Sequence, residues 1–192
     1  MVLGQPQAPK ERADAARNRE RVLAAAAELF ASRGVACVSM DDVAAAAGVG
    51  KGTLFRRFGD KAGLAVALLD ERERALQQEI LTGPPPLGPG AGPVDRLTAF
   101  VGAYLDHAVS QLELVRMSET ASPGARYRVG SYRFWHRHVA LLLAQARPSL
   151  DADAMAHVVL APLAADLLHG LGEDNLPRHR AAMSALLVSV SS

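Results

Sequence analysis

The sequence predicts an all-α protein in two parts. Three observations predict it. Apolar residues recur at the 3.6-residue helical spacing along most of the chain, and no alternating strand pattern appears. Glycine, proline and capping residues fall between the periodic stretches, where helices must start and stop. The 192 residues are 49% hydrophobic, enough to build a core.

The elements follow in order. Residues 1–13, with Pro6 and Pro9, read as a disordered arm. Residues 14–60 read as one small domain of three helices. The first runs from about Arg19 to its stop at Gly34. The second begins at Ser39, whose hydroxyl can accept an orphan backbone N–H, with Asp42 completing a weak capping box. Gly48 supplies the turn, because glycine takes a positive φ cheaply. The third helix holds itself to the domain with Leu54 and Phe58, spaced i and i+4. Gly50 and Gly52 keep its start thin, and Lys51, Thr53, Phe55, Arg56 and Arg57 are left to face outward.

Two short helices, a tight turn and cations on the second make a helix-turn-helix, which lays its second helix in a DNA groove. The chain resembles the DNA-binding domain of the TetR family of bacterial regulators. The resemblance runs from Arg19-Glu20-Arg21-Val22 through Ala47-Gly48-Val49-Gly50-Lys51-Gly52-Thr53-Leu54-Phe55 to Phe58-Gly59-Asp60-Lys61-Ala62-Gly63-Leu64. It implies a DNA-contacting set of Ser39, Met40, Gly50, Lys51, Gly52, Thr53, Phe55, Arg56, Arg57 and Lys61. Lys51 and Gly52 would approach base edges, while Ser39, Thr53, Arg56, Arg57 and Lys61 would hold phosphates. Two positions depart from the family pattern. Phe55 stands where a tyrosine hydroxyl usually reaches a phosphate, and Gly50 stands where a side-chain cap is usual.

The resemblance implies about nine helices: three in the DNA-binding domain, then, over residues 61–192, a connector helix and a regulatory, dimerising domain. Asp60 caps the connector, which ends in the glycine- and proline-rich stretch 82–93. Helices are then expected over 94–109, 111–120, 126–146, 151–169 with a bend at Pro162, and from Pro177 to about Val190. Aromatic and polar-tipped residues gather in the middle of this half. Tyr104, His107, Met117, Tyr127, Phe134, Trp135 and His138 are the candidate lining of a pocket for a small apolar effector. The resemblance implies that the last two helices pair with their copies in a dimer. The candidate interface is Met155, Val158, Val159, Leu163, Leu167, Met183, Leu186, Leu187 and Val190.

Composition excludes other classes. A single cysteine, Cys37, forbids an internal disulfide or a multi-cysteine zinc site, and it is expected to be a small buried hydrophobe. His136 and His138 are two apart and diverge on a helix, so no metal and no cofactor is expected. No nucleophile elbow, phosphate loop or paired-carboxylate pattern supports an enzyme. Net charge is only +1, so the cations are placed rather than abundant. The expected protein is cytoplasmic: a homodimeric repressor on a palindromic operator in double-stranded DNA, released by a small molecule. An activator or global regulator of the same fold is the alternative, and an all-α small-molecule enzyme the remote one.

Overall fold

A computed structural model describes residues 8–191, with the side chains of residues 14–189 apart from Glu71. Only helices, turns and loops occur among the described residues. Backbone contacts divide them into two units, with the division between Leu68 and Leu69. That boundary lies inside the fourth helix, whereas the sequence suggests a limit at Asp60.

The amino-terminal unit holds α1 (Ala8–Arg33), α2 (Met40–Ala47), α3 (Lys51–Phe58) and the first part of α4 (Lys61–Thr82). Helix α1 starts within the stretch expected to be an irregular arm. Pro9 falls in its first turn, where a missing N–H costs no intrahelical bond. Residues 1–7 of that expected arm lie outside the described residues. Val22, Ala26 and Phe30, four apart, form the buried stripe of α1.

The capping box predicted for α2 is present. The Asp42 N–H donates to Ser39 Oγ at 3.1 Å, and the Ser39 N–H donates to the Asp42 carboxylate at 2.8 Å. The Ser39 hydroxyl and then the Ser39 N–H, both donating to the carboxylate, hold the Asp42 carboxyl below its ordinary pKa. Gly48 ends α2 in the left-handed region, at φ 62° and ψ 38°. Its N–H reaches the Ala45 carbonyl and that of Val49 reaches Ala44, so two orphan carbonyls are satisfied by the turn itself. Asp60 caps α4 through the Gly63 N–H at 2.8 Å. Gly63 must be glycine, since a Cβ there would sit 1.9 Å from the Phe58 carbonyl oxygen.

The carboxyl-terminal unit comprises the rest of α4, α5 (Pro93–Ser110), α6 (Leu112–Thr120), α7 (Ala125–Arg128), α8 (Gly130–Ala146), α9 (Ala152–Leu160), α10 (Ala165–Leu171) and α11 (Leu176–Ser191). Helix α5 is central and buries Leu97, Phe100, Val101, Tyr104, Leu105 and Ala108 against α8 and α11. Burying side chains of this size contributes roughly 1.5–3 kcal/mol each. Helix α8 packs on α9, and α6 on α10.

Two expected helices are broken. The helix expected over 126–146 divides at Val129, which is extended, leaving the short α7 before α8. The segment expected to bend at Pro162 parts completely into α9, a 3-10 turn at Ala161–Leu163, and α10 after the extended Ala164. Proline removes a backbone donor there, and the chain leaves the helix altogether. By composition Ala152–Leu171 is apolar enough to cross a membrane, but this break leaves no single helix of that length.

A buried ion pair joins the pieces. The Arg126 guanidinium pairs with the Glu119 carboxylate, and both side chains are nearly inaccessible. Arg126 also donates to the Leu160 carbonyl at 2.9 Å and lies over the Tyr132 ring at 5.3 Å. Glu119 accepts the Ala165 N–H at 2.8 Å, an orphan donor in the first turn of α10. Burial raises the Glu119 pKa, and Arg126 opposes that rise. Replacing Arg126 by methionine would strand the buried carboxylate, so Arg126→Met is expected to lose about 3–5 kcal/mol of stability in urea unfolding. An unchanged midpoint would show that the pair does not hold these helices together.

Candidate nucleic-acid interface and effector region

Helix α3 divides cleanly by burial. Leu54 and Phe58 are buried, and Lys51, Gly52, Thr53, Phe55, Arg56 and Arg57 are exposed. The exposed set forms three neighbouring i, i+4 pairs: Lys51 with Phe55, Gly52 with Arg56, and Thr53 with Arg57. It therefore makes one continuous outward face. A Cβ added at Gly50 or Gly52 would meet nothing within 4 Å, so packing does not demand glycine at either position. What the glycines leave is bare backbone at the start of α3. Phe55 is 45% exposed, an apolar ring on an otherwise polar face.

The Lys51 ammonium pairs with Asp41 of α2 across the turn, and both side chains are well exposed. An exposed pair of this kind is worth roughly 0–1 kcal/mol, so a phosphate or base edge can take the ammonium over. The Asp41 partner is not evident from sequence, because the pairing depends on how α2 and α3 cross. A groove of about 270 Å³ runs beside α3, walled by Asp14, Asn18 and Val22 of α1 and by Thr53, Arg56 and Arg57. The Arg19 guanidinium sits over the Phe58 ring at 5.7 Å, which ties α1 to α3.

Three expected contacts read differently in the structure. Met40 is 8% exposed and packs inside the domain, because it opens α2 on the side that faces the core. Lys61 is turned inward over the loop before α2. Its ammonium donates to the carbonyls of Val35, Ala36 and Val38 at 2.9, 3.3 and 3.0 Å, and three donors are all it has. The Ser39 hydroxyl donates to Asp42 at 2.6 Å, so a phosphate would have to displace that bond. Cys37, expected to be buried, is exposed, since the loop turns Val35 and Val38 inward instead.

In the carboxyl-terminal unit, Tyr104, His107 and Trp135 line a cavity of about 10 Å³ together with Glu73, Ser118, Glu119, Ser131 and Tyr132. The other four expected lining residues lie elsewhere. Tyr127 is 57% exposed, and Met117 is half-buried outside the cavity wall. Phe134 and His138 stack on each other, with His138 edge-on to Phe100 at 5.3 Å. Burial pushes the His138 pKa down to about 4, so the ring is neutral at physiological pH. Sequence periodicity does not single out Glu73 or Glu119.

The candidate interface residues also separate. Val159, Leu163, Met183 and Leu187 are buried in the core of their own chain, and Met155 packs against that core. Val158, Leu167 and Leu186 are exposed, at 53%, 43% and 38%. The Val190 side chain lies outside the described residues. No metal-binding group of three ligands occurs among the described residues.

Residues 22–68, which carry this helix-turn-helix, match the model of the bacterial regulatory proteins of the tetR family. The helix-turn-helix domain of this chain is of the TetR type. It is 31% identical over 140 residues to an HTH-type transcriptional repressor of Mycobacterium tuberculosis, over 73% of this chain and 64% of that protein. The match thus spans somewhat under two thirds of that relative's length. An HTH-type transcriptional regulator of Staphylococcus aureus is 45% identical over 53 residues, 28% of this chain and 29% of the relative. A TetR-family transcriptional regulator from Pectobacterium atrosepticum shares the fold with a TM-score of 0.65 at 24% identity, covering 97% of this chain and 95% of that one. A TetR/AcrR-family regulator from Thermobifida fusca does so with a TM-score of 0.62 at 18% identity, covering 88% and 95%.

The inward ammonium of Lys61 yields a direct test within this TetR-family domain. Lys61→Met leaves carbonyls unsatisfied and is expected to lower stability by about 1–3 kcal/mol, with the salt slope of DNA binding unchanged. A stable variant whose salt slope falls would return Lys61 to the phosphate-contacting set.

Proposed function

We propose that this protein is a cytoplasmic transcriptional repressor of the TetR family that binds a palindromic operator as a homodimer and is released by a small molecule. One observation carries the DNA reading. The outward face of α3 gathers Lys51, Arg56, Arg57, Thr53 and bare glycine backbone, while its inward face is wholly apolar. A helix built this way offers charge to phosphates and close backbone approach to bases. The name of the mycobacterial relative supports repression in particular.

The roles divide by chemistry. Lys51 and the backbone at Gly52 approach base edges. Thr53, Arg56 and Arg57 hold phosphates, and Arg56 and Arg57 stand in for the phenol hydroxyl that Phe55 lacks. Each phosphate contact releases counterions, so affinity falls steeply with salt. Arg57→Ala is expected to weaken binding alike on all sequences and to reduce the log–log salt slope by about 1. Fluorescence anisotropy on fragments of the DNA upstream of its own gene measures both. A loss confined to one base pair would instead make Arg57 a base reader.

Dimerisation follows from the operator geometry, since two recognition helices on a palindrome lie about 34–36 Å apart, one turn of DNA. Val158, Leu167 and Leu186 are the exposed apolar residues of the expected set, and they supply the contact. Leu167→Glu combined with Val158→Glu is expected to turn a dimer into a monomer in analytical ultracentrifugation. A wild-type chain that sediments as a monomer on its own and on DNA would contradict the reading.

Release requires that the effector favour one arrangement over the other. A complete switch takes about 5.5 kcal/mol of differential affinity. Helix α4 is the covalent route, since it begins in one unit and ends in the other.

A further inference from the structure

The walls of the small cavity in the carboxyl-terminal unit carry acidic side chains and neither lysine nor arginine. The cavity lies among α4, α5, α6 and α8 and is faced by two acidic residues, Glu73 and Glu119. Glu119 has its counter-ion in Arg126 and a backbone donor in Ala165. Among the described residues the Ser131 hydroxyl bonds Glu73, and the charges that act on it, Asp70 and Glu119, repel. Its carboxyl is accordingly held above the ordinary pKa, chiefly by burial. Burial, and after it the charge of Arg72, push the His107 pKa down and disfavour its cationic form. The other large groups on the wall are rings: Tyr104 and Trp135 meet edge-on with centroids 5.9 Å apart, and Arg126 already covers Tyr132. A buried carboxylate without a cation is costly, and ring faces attract cations.

We propose that this cavity seats the cationic head of a small organic amine, with Glu73 as counter-ion and the Tyr104 and Trp135 rings beside the ammonium. This deepens the effector reading and rests on it, and it replaces the apolar effector expected from sequence with a positively charged one. At about 10 Å³ the space takes a group no larger than a water or an ammonium.

Trp135 is the single tryptophan of the chain and lies in the cavity wall, so its emission reports occupancy. Full-length protein, without DNA, is titrated with n-butylammonium, n-butanol and butyrate. A saturable emission change with n-butylammonium alone is expected. Glu73→Gln keeps the shape and the Ser131 bond but loses the charge, and it is expected to bind the amine at least about tenfold more weakly. The seat is overturned if n-butanol or butyrate matches the amine, if Glu73→Gln titrates like wild type, or if the amine gives no saturable response. Should Glu73→Gln fail to fold, the comparison of the three ligands on wild type decides alone. Anisotropy on operator DNA separates the two readings. Amine binding by a protein that ignores DNA keeps the seat and removes the regulator, and the reverse result removes only the seat.

Discussion

The amino-terminal unit depends on the satisfaction of the backbone between Gly34 and Ser39. That loop must turn the chain from α1 into α2, and it leaves carbonyls that no helix can pair. Lys61 answers three of them with one ammonium, from 23 to 26 residues further on. The Ser39–Asp42 box then starts α2, and Gly48 ends it. Only with α2 held in this way do Leu54 and Phe58 find the core and turn the cationic face of α3 to solvent. One cation is committed inside the domain so that Lys51, Arg56 and Arg57 can be presented outside it. In a chain of net charge +1, the placement of cations decides more than their number.

The carboxyl-terminal unit uses charge in the opposite way. Its buried cation, Arg126, holds α7 to α6 and to the end of α9, while Glu119 reaches the start of α10. These are the places where the chain is interrupted, at Val129 and at Ala161–Ala164. Broken helices expose orphan backbone groups, and charged side chains satisfy some of them from inside the core. Glu73 faces the same cavity as Glu119. The polar interior that compensates for the breaks therefore also defines what a ligand could bring.

Most of the DNA-facing unit is legible in the amino-acid sequence, because its signals are local. Ser39, Gly48, Gly50 and Asp60 mark helix ends by their own chemistry, and Leu54 with Phe58 mark the buried face by spacing alone. Lys61 misleads, because a lysine in the first turn of a helix looks solvated. Its true partners come from a loop distant in sequence. The break at Val129 carries no proline, so periodicity runs straight through it, whereas Pro162 announces its own break. The aromatic cluster is visible as composition, but only packing distinguishes Trp135 on a cavity wall from the exposed Tyr127. In α9 to α11 the apolar residues exceed what one face can bury. Sequence therefore does not separate the inward Val159 and Leu163 from the outward Val158 and Leu167.

The outward face of α3, and not some other basic surface, is the face proposed to meet DNA. Hydrogen–deuterium exchange with and without a bound operator fragment tests this most directly. The amides of Gly50–Gly59 are expected to gain protection on binding, with little change along α8. Protection that falls elsewhere while α3 exchanges as in the free protein would contradict it.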